Sequence, residues 1–163
     1  RSGTVGKKYL AVVEGRLTKK QGQLINFVER DAKNCRITLR AGNQSKKATL
    51  SYRVLDTSRS LSLLEIYLGT GRKHQIRLQF SHLGHPVLGD KRYGSATVFP
   101  HRQLALFAKE LTIRHPTQNM ELTIDAPLPK GWPWEAPHEF TSAPPWNWDE
   151  LHCRAAFSRP LFI

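Results

Sequence analysis

Cysteine is scarce in this chain: Cys35 and Cys153 are the two present, far apart and without CxxC or Cys/His ligand spacing. That pattern excludes a disulfide framework and offers no zinc site. No apolar run approaches the length of about 20 residues needed by a membrane-spanning helix. The basic start RSGTVGKK also lacks the apolar core of a signal peptide. A cytoplasmic protein with no membrane association is therefore expected. There is no GxSxG-like elbow for a serine hydrolase. His74, His82 and His85 have no acidic or thiol partner spaced to complete a metal site, so no metal is expected. Acidic residues are the other shortage. Against 25 Lys and Arg stand 13 Asp and Glu, a formal charge of +12. Such an excess suits a polyanion such as nucleic acid. It would suit an acidic membrane too, but no amphipathic anchor is evident.

What is present is a globular composition, 39% hydrophobic and 23% charged in 163 residues, enough for about one domain with its own core. Leu10 to Val13 form a continuous apolar run, read as a buried strand over residues 6–15. Residues 16–34 mix charges with the short apolar patch of Leu24, Ile25, Phe27 and Val28. They read as a surface excursion with a short helix or strand at 23–28. A strand at 36–40, a Gly/Asn turn at 41–47 and a half-buried strand at 48–54 follow, with the turn expected to join two antiparallel strands. Residues 56–60 turn the chain into a strand at 61–68, completing a β-hairpin with 48–54. Leu111 with Ile113, and Met120 with Leu122 and Ile124, alternate on either side of a His-Pro turn.

The most informative stretch is 68–94, LGTGRKHQIRLQFSHLGHPVLGDKRYG. Gly69 and Gly71 let the chain break sharply, and Ile76, Phe80 and Leu83 recur at helical spacing. A helix over 73–83 with those three facing the core is predicted. His74, Arg77 and Ser81 fall on another face, with Arg72 and Lys73 at the helix entrance. Asp90 reads as a turn carboxylate accepting backbone N–H groups. Beyond residue 130, Trp132, Trp134, Trp146 and Trp148 alternate with prolines. The expected division is a domain over 1–130 and an extended tail over 131–163, which either packs on the domain or contacts a partner.

TGRKHQIR at 70–77, followed by HLGHPVLGDKRYG at 82–94, resembles the third signature block of the RluA family of pseudouridine synthases. Lys73 replaces the usual Thr or Ser. GKKYLAVVEG at 6–15 is similar to the family's KxYxAxVxG strand, and residues 102–129 resemble its closing pattern, with Phe107 where histidine is usual and a structural role expected for it. The resemblance implies an α/β (α+β) fold with a mixed, mainly antiparallel sheet and packed helices, part of the pseudouridine synthase fold. It implies an isomerase acting on uridine in rRNA or tRNA without cofactor or metal: one aspartate detaches uracil from its ribose, and the base turns and rejoins through carbon. Tyr9 then resembles the tyrosine packed against the uracil, and Arg77 the arginine that pairs with the catalytic aspartate. Arg72, Lys73, His74 and Gln75 would bind substrate in a basic cleft between the start of the helix and the Tyr9 strand, or in the case of His74 and Gln75 hold the helix start. RNA is the implied partner of a monomer.

The family's aspartate lies in an earlier block, [HG]RLDxxTSG, for which these residues offer no match. GRLTKKQG at 15–22 has Thr18 in its place and follows the second block instead of preceding it. Two readings follow. Either the nucleophile lies on a segment outside these residues, or the chain is an inactive RNA-binding relative in which Arg77 would be an uncompensated charge.

Overall fold

A computed structural model describes residues 5–30, 35–38, 40–98, 103–118 and 120–134. Seven strands, β1 (Gly6–Glu14), β2 (Gln21–Arg30), β3 (Cys35–Thr38), β4 (Ser45–Thr57), β5 (Leu61–Leu68), β6 (Leu106–Arg114) and β7 (Glu121–Asp125), form one sheet in the order β3-β2-β4-β5-β1-β6-β7. Every pairing among the described residues is antiparallel. One α-helix, α1 (Gln75–His82), lies on one face of the sheet, and Lys91–Tyr93 form a single 3₁₀ turn.

β1 is apolar on both faces because both are covered: Leu10, Ala11, Val12 and Val13 are fully buried. Ala11 and Val13 share a core with Leu50, Tyr52, Leu64, Ile66, Ile76 and Phe80 on the helix side. Val12 packs on the opposite side with Leu63, Leu88 and Ala105, where Trp132 and Trp134 lie against the cluster. Phe107 meets Trp132 at a ring-centroid separation of 6.1 Å, a packing use for the residue that departs from the family pattern. The Trp134 indole N–H donates to Asp56 Oδ2 at 3.1 Å. Trp132 and Trp134 therefore pack against the sheet. Trp146 and Trp148 lie outside the described residues.

The structure differs from the sequence reading at three places. Residues 23–28, read as a short helix or strand, are strand, and the strand is longer than read, β2 over Gln21–Arg30; its adjacent apolar pairs Leu24–Ile25 and Phe27–Val28 carry no period of two. The turn at 41–47 does not join paired strands: β2 lies between β3 and β4, with Val28 opposite both Ile37 and Lys46. Finally, α1 is shorter than 73–83 and ends at His82. Leu83, expected in the core, is 44% exposed, because Gly84 at φ 83° turns the chain away immediately after it.

β5 and β6 both pair with β1, so the chain between them leaves one side of β1 and returns on the other. On the way α1 is drawn onto the sheet by Gln79, whose Nε2 donates to Asn26 Oδ1 at 2.8 Å and to Leu24 O at 3.2 Å. The return is pinned to the end of β1. Val87 bridges Val13, Leu88 N–H donates to Val12 O at 2.9 Å, and Glu14 N–H donates to Pro86 O at 2.9 Å.

Candidate active site

The helix entrance is organised by a buried glutamine. Gln75 is 2% exposed. Its Oε1 accepts from Thr70 Oγ1 at 2.8 Å and from Arg72 N–H at 3.0 Å, while Nε2 donates to Thr49 O at 2.9 Å. These bonds fix the tight turn at 70–74 and delay the helix to residue 75, so Gln75 holds the helix start and does not line an open surface. Gly69 is needed here because a Cβ would sit 2.5 Å from Thr49 Oγ1.

His74 closes the turn at φ 56°, a left-handed conformation uncommon for a residue with a side chain. Its Nδ1 pairs with the Tyr93 hydroxyl at 2.8 Å. Burial, then the nearby Arg77, Lys73 and Arg92 charges, lower the His74 pKa below the ordinary histidine value, which favours the neutral ring.

One turn on, Arg77 donates through Nε to Asp90 Oδ2 at 2.5 Å and through Nη2 to Asp90 Oδ1 at 2.7 Å. Its guanidinium carbon lies 4.7 Å from the centroid of the Tyr93 ring. This side-on pairing raises the Arg77 pKa, chiefly through the bond to Asp90. The Nη1 end bonds to none of the described residues. Asp90, 2% exposed, also accepts from Tyr93 N–H at 3.3 Å, as a turn carboxylate was expected to do. Ser81 Oγ donates to Tyr93 O at 2.6 Å. The two motifs at 70–77 and 89–94 thus close on each other through Arg77, Asp90, His74 and Tyr93.

The remaining candidates stand around this network. Arg72 and Lys73 are exposed, and Arg72 Nε donates to Lys47 O at 3.1 Å. Tyr9 is half-buried on the same sheet face as α1, against Ile76 and Phe80's cluster. The β1–β6 register shifts opposite Lys8 and Tyr9, where Lys109 is the extra residue on β6, while β1 keeps an unbroken register with β5. No hydrogen bond or ring contact among the described residues joins Tyr9 to Arg77. Lys7 extends to the glycine turn, its Nζ 3.8 Å from where a Gly71 Cβ would be, and adds a third cation beside Arg72 and Lys73. Among the described residues no group of three or more His, Cys, Asp or Glu could hold a metal.

Several of these neighbours were not singled out from sequence. Lys7 had a signal, since it lies two residues from Tyr9 and so shares its face. Asp90 and Tyr93 were visible as a turn, but nothing in the sequence said that the turn folds onto Arg77. Gln79, one helical turn from Gln75, had no assignment from sequence and is 1% exposed.

The loop carrying Asp90 is held from β1 by Glu14. Its Oε1 accepts from Ser95 Oγ at 2.7 Å and Thr97 N–H at 3.0 Å, and its Oε2 from Ala96 N–H at 3.2 Å. Burial alone would raise its pKa, but these bonds outweigh it and leave the pKa below the ordinary glutamate value. A carboxylate lowered on folding stabilises the protein above its unfolded pKa, and that contribution is lost as pH falls through the folded value. Glu14→Gln is therefore expected to cost about 1 kcal/mol at pH 7. In urea titrations the gap from wild type should close as pH falls through the folded value, below the ordinary glutamate range. A gap constant with pH would remove this role from the carboxylate charge.

With this geometry in place, comparison with known proteins is decisive. A family model described as RNA pseudouridylate synthase matches residues 1–82, just over half of the chain and ending at the last residue of α1. The chain belongs to the RNA pseudouridylate synthase family. Within it, ribosomal large subunit pseudouridine synthase D of Xylella fastidiosa is 33% identical over 143 residues, covering 79% of this chain and 42% of that protein. An uncharacterised RNA pseudouridine synthase of Bacillus subtilis is 34% identical over 127 residues, covering 78% of this chain and 42% of that protein. The chain thus spans less than half the length of these relatives. Human RNA pseudouridylate synthase domain containing 1 superposes with a TM-score of 0.65 at 25% identity, covering 96% of this chain and 68% of the human one. This family member's fold is accordingly a partial pseudouridine synthase fold. Asp90 and Tyr93 lie beyond the stretch that the family model matches.

Proposed function

We propose that this chain forms the C-terminal part of the catalytic domain of an RNA pseudouridine synthase that isomerises uridines in structured rRNA or tRNA, as a cytoplasmic monomer without cofactor. The nucleophilic aspartate is supplied by a segment outside these residues. The observation that carries this reading is the state of Arg77: its side-on edge is occupied by Asp90 while the Nη1 end remains to meet a second carboxylate. Everting a uridine from its stack costs a few kcal/mol, which phosphate contacts and an aromatic surface must offset. Lys7, Arg72 and Lys73 are the cations for the phosphates, and Tyr9 the ring against the uracil. The neutral His74 and buried Gln75 shape the turn that presents Arg72.

The inactive RNA-binding alternative has one specific observation in its favour. Arg77 is not the uncompensated charge that the sequence suggested, because Asp90 neutralises it without any upstream group. Retention of Arg77 therefore does not by itself require a catalytic carboxylate. The full-length protein distinguishes the two readings when incubated with RNA carrying tritium at C5 of uridine, since rejoining the base through that carbon releases the label. Release is the expected result. Binding without release would favour the inactive relative, and neither binding nor release would defeat both. If about three single-stranded phosphates are neutralised, log Kd should change with log salt at a slope of magnitude about 2.

A further inference from the structure

The turn at 89–94 lies beyond the stretch matched by the family model, and its Asp90 and Tyr93 side chains close directly on Arg77. We infer that Asp90 and Tyr93 are positioning residues for Arg77, an inference that rests on the activity proposed above. Asp90 takes the Nε–Nη2 edge of the guanidinium and the Tyr93 ring supports its face, so one end alone is presented to the reacting carboxylate.

Three features make this more than a surface ion pair. First, a bidentate bond fixes orientation as well as distance, which a lysine at the same place would not allow. Second, the carboxylate itself cannot drift. Its side chain is 1% exposed, its N–H donates to Val87 O at 2.9 Å, and its carbonyl accepts from Ser95 N–H at 3.0 Å. Third, the chain around it is registered to the strand that carries Tyr9. Val87 bridges Val13 of β1 and Leu88 N–H donates to Val12 O at 2.9 Å. Arg77 stands on α1 and Tyr9 on β1, and no hydrogen bond or ring contact among the described residues joins them. Asp90 supplies the link, tying a helix residue to the strand across which the substrate base would lie. Tyr93 completes the support: its hydroxyl is held by His74 at 2.8 Å and its carbonyl by Ser81 at 2.6 Å, both from the segment that carries Arg77.

A misplacement of about 1 Å at a reacting group can cost on the order of 10²-fold in rate. The test is a double-mutant cycle in the full-length protein, with Asp90→Asn, Arg77→Lys and their combination, measuring the single-turnover rate of tritium release and RNA affinity separately. Asp90→Asn is expected to lower the single-turnover rate on the order of 10²-fold with RNA affinity within about twofold of wild type, and Asp90→Glu to recover part of the loss. Added to Arg77→Lys, Asp90→Asn should cost little more, because it acts through the guanidinium that is already gone. Fully multiplicative losses, or a fall in RNA affinity equal to the fall in rate, would overturn the inference while leaving the activity standing. Absence of release by the wild type would overturn the activity and this role with it. Should Asp90→Asn fail to fold, Tyr93→Leu takes its place in the same cycle with the same outcomes.

Discussion

Arg77→Ala should cost about 3 kcal/mol of stability, because it strands the Asp90 carboxylate in a site where that side chain is 1% exposed. The backbone N–H of Tyr93 at 3.3 Å is a weak substitute for two guanidinium bonds at 2.5 and 2.7 Å. Breaking a buried pair costs more than removing both partners. The double replacement Arg77→Ala with Asp90→Asn should therefore recover a large part of the loss, as read from urea unfolding of this chain at pH 7. A single variant as stable as wild type would show that the pair contributes nothing. In the full-length protein, under the proposed activity, the same replacement should also reduce tritium release by about 10³-fold, the scale expected when one preorganised charge contact is lost. Turnover must be compared where both proteins are folded. Near-normal turnover there would defeat the assigned role.

Phe80→Ala should cost a similar or larger amount, about 3–5 kcal/mol, through a different mechanism. Phe80 is fully buried, and its ring meets Tyr52 edge to face at a centroid distance of 5.5 Å. With Ile76 it is the anchor by which α1 rests on Leu50, Leu64 and Ile66. Truncation leaves a cavity beneath the helix that a close-packed sheet cannot fill by collapse. Since the side chain has no part in the polar network, RNA affinity of the folded variant should stay within about twofold of wild type. A stability loss under about 1 kcal/mol would mean that α1 is not held by this contact.

The two variants also mark where sequence reading succeeds. Ile76 and Phe80 were legible as core because helical period and apolar character coincide, and β1, β4, β5, β6 and β7 were legible because alternation or a continuous apolar run is a local property. Leu83 failed the same test because its exposure depends on where the helix stops. The burial of Gln75 and Gln79 was hidden for the opposite reason: a polar side chain is buried when partners are available, and Thr49, Leu24 and Asn26 come from strands more than 25 residues away. The placement of β2 between β3 and β4 was equally hidden, since strand order is a contest among pairings that no single strand encodes.

The amino-acid order by itself determined most of the strands, the helical block, the basic character and the family, since each is written in neighbouring residues or in motifs of fixed spacing. Only the tertiary structure decided what Arg77 touches. The crossover past β1 folds the Asp90 turn onto α1 across 13 residues of chain, and a buried charge takes whichever opposite charge the packed backbone brings within reach.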